Sequence, residues 1–325
     1  MTERLVAVVG YDSAELLDIA CVTTTLAMAN DLGAPARPYR VLVAAPGGGP
    51  ITCGSGLTLH SQQGLERLIG PLDTLIVSGG VGSERAADDP RLVGHVRRLA
   101  GESRRVASLC TGAAVLAATG LLDGHRATTH WRFASRLAAR HPAVTVDPRP
   151  IYIREGNVST AAGITSALDL TLAFIEEDHG AELARQVARH LVTYLQRPGN
   201  QAQMSMFTAA PPPRNDAVRR LVDHITGHPD ADLGTDALAA RAGVTRRHLT
   251  RLFLEHLGVT PGQYVRRARV EAAAHLLVST RLPMASVAAR CGFGSAETLR
   301  QAFTGHYGIP PSRYRDANTA VDAAP

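Results

Sequence analysis

The chain has 325 residues, 45% of them apolar, and a formal net charge of +5. That length exceeds one ordinary core, so two domains are expected, and the apolar content excludes wholesale disorder. No apolar run approaches the ~20 residues of a membrane-spanning helix; the longest mostly apolar stretch is 113–122.

Cys21, Cys53, Cys110 and Cys291 form no CxxC pair and no Cys/His cluster. This pattern gives no reason to expect a metal, a cofactor or a disulfide framework. With no export signature after Met1, a reducing, cytoplasmic location without a membrane partner is expected.

Residues 1–197 read as alternating strands and helices. Apolar runs at 5–9, 39–45, 75–77 and 106–109 have strand length and end in Gly, Ser or Cys turns. Helical patterns at 15–30 and 90–101 lie between them, and two more, 164–177 and 181–195, close the domain. This order predicts a doubly wound, mostly parallel α/β sheet covered on both faces, of the flavodoxin-like kind. Residues 198–213, ending in Pro211-Pro212-Pro213, read as a connector, because proline continues neither a helix nor a central strand. Beyond it, 214–317 is helical throughout: 216–227, 235–242, 245–257, 261–280, 284–290, 295–306 and a short turn after Pro311. The tail, 318–325, reads as flexible.

All basic residues are arginine, and they are unevenly placed. Residues 1–213 carry 19 Arg against 19 acidic residues, whereas 214–317 carry 15 Arg against 9. A basic domain beside a neutral one suggests a polyanion, most simply double-stranded DNA.

The basic domain contains a repeat. Leu238-Ala-Ala-Arg-Ala-Gly243 answers Val287-Ala-Ala-Arg-Cys-Gly292, and Leu249, Phe253, Gly258, Pro261 and Tyr264 answer Leu299, Phe303, Gly308, Pro311 and Tyr314. Each unit reads helix, Gly turn, helix, with Thr245 or Ser295 placed to cap the second helix. Leu249, Phe253 and Leu257 form its buried stripe, leaving Arg247, Thr250 and Arg251 outside. In the second unit Glu297, Arg300 and Gln301 face out. This is the helix-turn-helix arrangement, whose second helix enters the major groove. Residues 289–303 and 307–314 closely resemble the signature of AraC-family transcription regulators. That resemblance implies seven helices, two readers joined by the long helix near 261–280, and base contacts from the six outward residues just named.

In the neutral domain, Arg105-Val-Ala-Ser-Leu-Cys110-Thr-Gly reads strand, sharp turn, helix. A cysteine at that hinge projects from the sheet's C-terminal edge, and the helix behind it is expected to favour a thiolate. Gly79 and Gly80 can offer backbone N–H groups to an oxyanion, His130 is the nearest candidate base, and Asp18 can reach the same crevice. The candidate ligand pocket is therefore Asp18, Gly79, Gly80, Cys110, Thr111 and His130.

Residues 5–195 resemble the class I glutamine-amidotransferase-like superfamily in its PfpI/ThiJ branch. The matching stretches are Cys110-Thr-Gly112, Gly120–Trp131, and Val158–Gly163 with Asp169. PfpI-type proteases place histidine after the cysteine; here that position is Thr111, so the resemblance does not carry peptidase chemistry. Isonitrile hydratase-like members keep an acidic residue near Asp18 together with Cys-Thr. The combination with an AraC-type reader resembles the GlxA group of regulators. It implies a DNA-binding, non-enzymatic regulator that senses an unknown small molecule or redox state and dimerises through its N-terminal domain. The alternative is a bifunctional cysteine hydrolase or hydratase.

Overall fold

The computed structural model of the chain describes residues 3–193, 197, 199, 203 and 215–319. The chain separates into two compact units, Met1–Gln203 and Met204–Pro325.

In the first unit β1 (Arg4–Val9) leads through α1 (Leu16–Gly33) to β2 (Tyr39–Ala45). A hairpin of β3 (Pro50–Thr52) and β4 (Thr58–His60) and the short β5 (Gln63–Gly64) precede β6 (Leu72–Val77). Next come α2 (Ser83–Asp88), α3 (Pro90–Gly101), β7 (Ser103–Leu109) and α4 (Ala113–Ala118). The chain continues through β8 (Arg126–Ala127), α5 (Ala134–Arg140), β9 (Thr145–Val146), β10 (Tyr152–Glu155) and β11 (Val158–Ala161). It closes with α6 (Ile164–His179) and α7 (Ala181–His190).

The main sheet has the order β10-β11-β7-β6-β1-β2-β5. Every pairing in it is parallel except the β10–β11 hairpin. Helices α1, α6 and α7 pack together as one layer, and α2, α3 and α4 as another. Covered on both faces, β6 is buried at every position, so its sequence shows no polar alternation. Its one charge, Asp73, is held by Arg4 at 2.7 Å and Arg104 at 2.8 Å. Strand order reverses direction between β6 and β1, which opens a crevice at the C-terminal strand ends where α/β folds place ligands.

All four expected strands and four expected helices are present, with β6 and β7 starting earlier and α7 shorter than the sequence suggests. Of the expected connector, only Gly199 and Gln203 are described, and both are held by the first unit. The Gly199 carbonyl accepts from Tyr152 N at 3.1 Å, and Gln203 N donates to the Arg149 carbonyl at 2.8 Å. Pro211–Pro213 and the last six tail residues lie outside the described residues.

The second unit comprises α8 (Asp216–Gly227), α9 (Thr235–Arg241), α10 (Arg246–Leu257), α11 (Pro261–Ser279), α12 (Met284–Arg290), α13 (Ala296–Tyr307) and α14 (Pro311–Thr319). The last is a helix where a short turn was expected. Val218, Leu221, Ile225, Leu238, Leu249 and Phe253 form a core with Tyr264, Val265 and Ala268 of α11. Further along α11, Val270, Ala273 and Leu277 are buried, and the helix packs on α12, α13 and α14. One long helix thus serves both halves. In α10 the third buried position is Leu252, while Leu257 is only partly covered: the stripe is completed at i+3 and not at i+8.

Candidate functional site

The strand-end crevice is built from three loops. Cys110 follows β7 and adopts φ 51°, a left-handed conformation that a non-glycine residue holds only under constraint from its surroundings. Asp18, fully buried in the first turn of α1, accepts from Gly79 N at 2.9 Å. Gly79 must be glycine: a Cβ there would lie 2.6 Å from Cys110 Cβ and 2.7 Å from Asp18 Oδ2. Cys110 and Asp18 thus meet across Gly79. The Thr111 hydroxyl accepts from Gly80 N at 2.9 Å and donates to the Gly80 carbonyl at 2.8 Å. Both N–H groups expected to serve an oxyanion therefore already have an acceptor inside the fold.

The expected thiolate is also corrected. Burial and the neighbouring Asp18 carboxyl push the Cys110 thiol up to about 12, against a smaller opposing pull from Thr111. The α-helix behind the elbow is only six residues long and is entered through a 3₁₀ turn, Cys110–Gly112. It does not overcome desolvation. Burial likewise raises Asp18 to about 7, with Glu15 adding to it and the Gly79 hydrogen bond opposing. Asp18 Oδ1 is buried and has no hydrogen-bond partner among the described residues. Tyr11, whose hydroxyl donates to the Ser78 carbonyl at 2.7 Å, faces both groups and also lines a neighbouring cavity of about 330 Å³.

His130 caps a turn: its Nδ1 accepts from Arg132 N at 3.3 Å, and its ring stacks on Trp131. Burial and Arg132 lower its pKa. No hydrogen bond joins His130 to Cys110 among the described residues. The loop's link to the elbow runs instead through Thr129, whose hydroxyl donates to the Cys110 carbonyl at 2.8 Å.

In the second unit, the Thr245 side chain accepts from His248 N and that of Ser295 from Thr298 N, as N-caps require. Gly243 and Gly292 both have positive φ in their turns. On α10, Arg247 and Arg251 are exposed, and the Thr250 hydroxyl turns back to the Arg246 carbonyl. Together with His248 and Leu254 they line one open concave surface. An Arg251 guanidinium nitrogen lies 3.1 Å from His248 Nδ1. On α13, Arg300 forks onto Glu297 at 2.7 and 2.6 Å, and Gln301 donates to Glu297 at 2.9 Å. This pairing lowers the exposed Glu297 carboxyl to about 2. Sequence patterning passed over His248 and Leu254, although both are spaced to share the Arg247/Arg251 face.

A switch-point crevice with an elbow cysteine in one unit and two capped helix-turn-helix units in the other define a class: an α/β domain of the DJ-1/PfpI type joined in the chain to a helix-turn-helix DNA-binding domain. The DJ-1/PfpI family profile matches residues 6–177, and the helix-turn-helix domain profile matches 238–317. The HTH-type transcriptional regulator CdhR of Pseudomonas aeruginosa is 33% identical over 85% of this chain and 82% of its own length. GlxA of Rhizobium meliloti, also an HTH-type transcriptional regulator, is 31% identical over 92% of each chain. Isonitrile hydratase of Pseudomonas putida is 37% identical over 44% of this chain and 60% of its own. Among solved structures, a THiJ/PfpI family protein from Pseudomonas syringae shares the fold, with TM-score 0.55, 23% identity, and coverage of 75% of this chain and 92% of that one. The chain belongs to the DJ-1/PfpI family and, with its AraC-type reader, to the HTH-type transcriptional regulators.

Proposed function

We propose that this regulator reads DNA through Arg247, Thr250 and Arg251 on α10 and Glu297, Arg300 and Gln301 on α13. The sheet domain sets the response by holding a small effector at the strand-end crevice. The observation that carries the reading is the pair of equivalent helices, each capped, each presenting polar side chains over a buried apolar stripe. Arginine forks suit guanine edges, Gln suits adenine, and phosphate contacts supply affinity.

For the sensor, the supporting feature is the buried Asp18 Oδ1, without a hydrogen-bond partner among the described residues; the cavity behind Tyr11, lined by Asp12, Ile51 and Arg85, has the volume of a small-molecule site but is lined by none of the six crevice residues. A protonated, buried Cys110 favours ligand contact over reaction with oxidants. The sheet domain also dimerises, and the protein works in the cytoplasm, where the chromosome is. Selection of duplexes from a random pool by the full-length protein tests the DNA reading. Failure to enrich any sequence would defeat it.

The similarity to isonitrile hydratase favours a second reading, a cysteine enzyme. Against it stand the raised thiol, the two engaged glycine N–H groups and the missing link to His130. Turnover of an isonitrile that disappears with Cys110→Ala would move it to first place.

A further inference from the structure

Resting on the regulator reading, we propose that His248 is a positioning residue for DNA recognition: it holds the Arg251 guanidinium in the orientation that meets a base edge. His248 stands three positions before Arg251 on α10, the spacing at which side chains of one helix face meet. A terminal nitrogen of Arg251 lies 3.1 Å from His248 Nδ1. Arginine can only donate, so Nδ1 is the acceptor. The imidazole that makes this bond is neutral, with its ring proton on Nε2.

The hold is built from the helix cap outward. The Thr245 side chain accepts from His248 N at 3.3 Å and so fixes the turn that carries the ring. Leu249, the next residue, is fully buried. His248 itself is half-buried, whereas Arg247 and Arg251 are exposed. The shorter, better-covered side chain thus anchors the longer, exposed one. Both line the open concave surface of α10, together with Arg247 and Thr250.

The second reader holds its arginine by a different chemistry. The repeat sets Leu249 against Leu299, and therefore His248 against Thr298. On α13 the acceptor is instead Glu297, which takes both forks of Arg300. A carboxylate offsets the charge of the arginine that it holds and repels phosphate, whereas a neutral ring leaves the guanidinium charge whole. Arg251 therefore reaches DNA both oriented and fully charged. The ring uses one of its N–H groups, and the rest of the fork suits the O6/N7 edge of guanine. Orienting a long side chain before it docks removes part of the entropy lost on binding.

The test uses the full-length protein and the duplex that wild type selects from a random pool, with each base pair of that duplex varied in turn. The position at which Arg251→Ala flattens preference is the one that Arg251 reads. There, His248→Ala should lower preference about three- to tenfold, and so should His248→Phe, which keeps a ring without the acceptor. His248→Asn, whose side-chain oxygen reaches the place of Nδ1, should keep wild-type preference. In the Arg251→Ala background, His248→Ala should change nothing further at that position. A merely structural role predicts another pattern, with His248→Phe close to wild type and the loss in His248→Ala spread over every position. That pattern, unchanged preference in His248→Ala, equal loss in His248→Asn, or further loss in the double variant would each overturn the inference. An Arg251→Ala protein that flattens no position would remove Arg251 from the base contacts and the inference with it. Failure of wild type to select any duplex is a separate result, and it would defeat the DNA reading itself along with everything that rests on it.

Discussion

At the scale of single residues, the crevice shows how burial reverses an expectation drawn from local order. The elbow was legible because strand, cysteine and small-residue helix are contiguous. The direction of the Cys110 shift was not, because it depends first on burial by the surrounding fold and then on Asp18, which arrives from α1 ninety-two positions away. Asp18 provides a clean test. Its pKa of about 7 in the fold stands well above the unfolded value of about 4. The native state therefore holds a proton that the unfolded chain has released, so Asp18's contribution is full below pH 4 and is lost as pH rises through 7. Asp18→Asn cannot ionise. Its stability relative to wild type should rise by up to roughly 4 kcal/mol between pH 4 and 8, as measured by urea unfolding. Parallel stability curves for the two proteins would show that Asp18 is not held protonated. On α13 the same scale gives a second test. Glu297 holds Arg300 and Gln301 in one fork, so Glu297→Ala frees a guanidinium and removes a negative charge at the groove. Discrimination at its base pair should relax, and the salt slope of binding should steepen by about one. An unaltered slope and sequence preference would remove Glu297 from the interface.

At the scale of elements, the long ones were readable. Helices α3, α8 and α12 match their sequence spans end to end: α3 has the Asp89 cap and Pro90 at N1, α8 the Asn215 cap, and α12 starts directly after Pro283. The elements that escaped are short: the β3–β4 hairpin, β5, β8, β9, the β10–β11 hairpin, α2 and α5. None is long enough to show a period, and their burial is set by partners distant in sequence. The repeat illustrates the same limit. Gly243 and Gly292 are equivalent in sequence and in φ, 67° and 72°. Their surroundings differ. A Cβ at Gly243 would meet nothing within 4 Å, whereas one at Gly292 would lie 2.3 Å from the Pro229 carbonyl and 2.7 Å from the Arg269 guanidinium. Arg269 binds that carbonyl at 2.9 Å and the Ala231 carbonyl at 3.0 Å, tying the loop before the first unit to the helix shared by both. Gly243→Ala should therefore cost only the left-handed conformation, about 1–2 kcal/mol. Gly292→Ala should cost clearly more, since backbone must move. Equal losses in thermal unfolding would mean that the Arg269 tie contributes nothing.

At the scale of the whole molecule, charge divides as the fold does. Residues up to 213 are balanced and 214–317 carry a net +6, a contrast visible in the sequence because it needs only counting. The hydrogen bonds that hold Gly199 and Gln203 to the sheet domain had no sequence signal: a glycine and a glutamine in a polar, proline-bearing stretch carry no pattern. The charge division and the two readers together specify how the protein should lie on DNA. Two reader helices on one long connecting helix should enter successive major grooves about 34 Å apart. Their outward residues differ, so the two half-sites should differ in sequence. Arg247→Ala with Arg251→Ala should weaken one protected groove in a footprint, and Arg300→Ala with Gln301→Ala the other. Each arginine that meets phosphate should also lower the salt slope by about one. Cys110→Ala should leave both protections in place, since the thiol belongs to the sheet domain. A wild-type footprint with one protected groove per chain would mean that only one of the two helices reads DNA. The duplicated unit would then serve the packing of α11 rather than recognition.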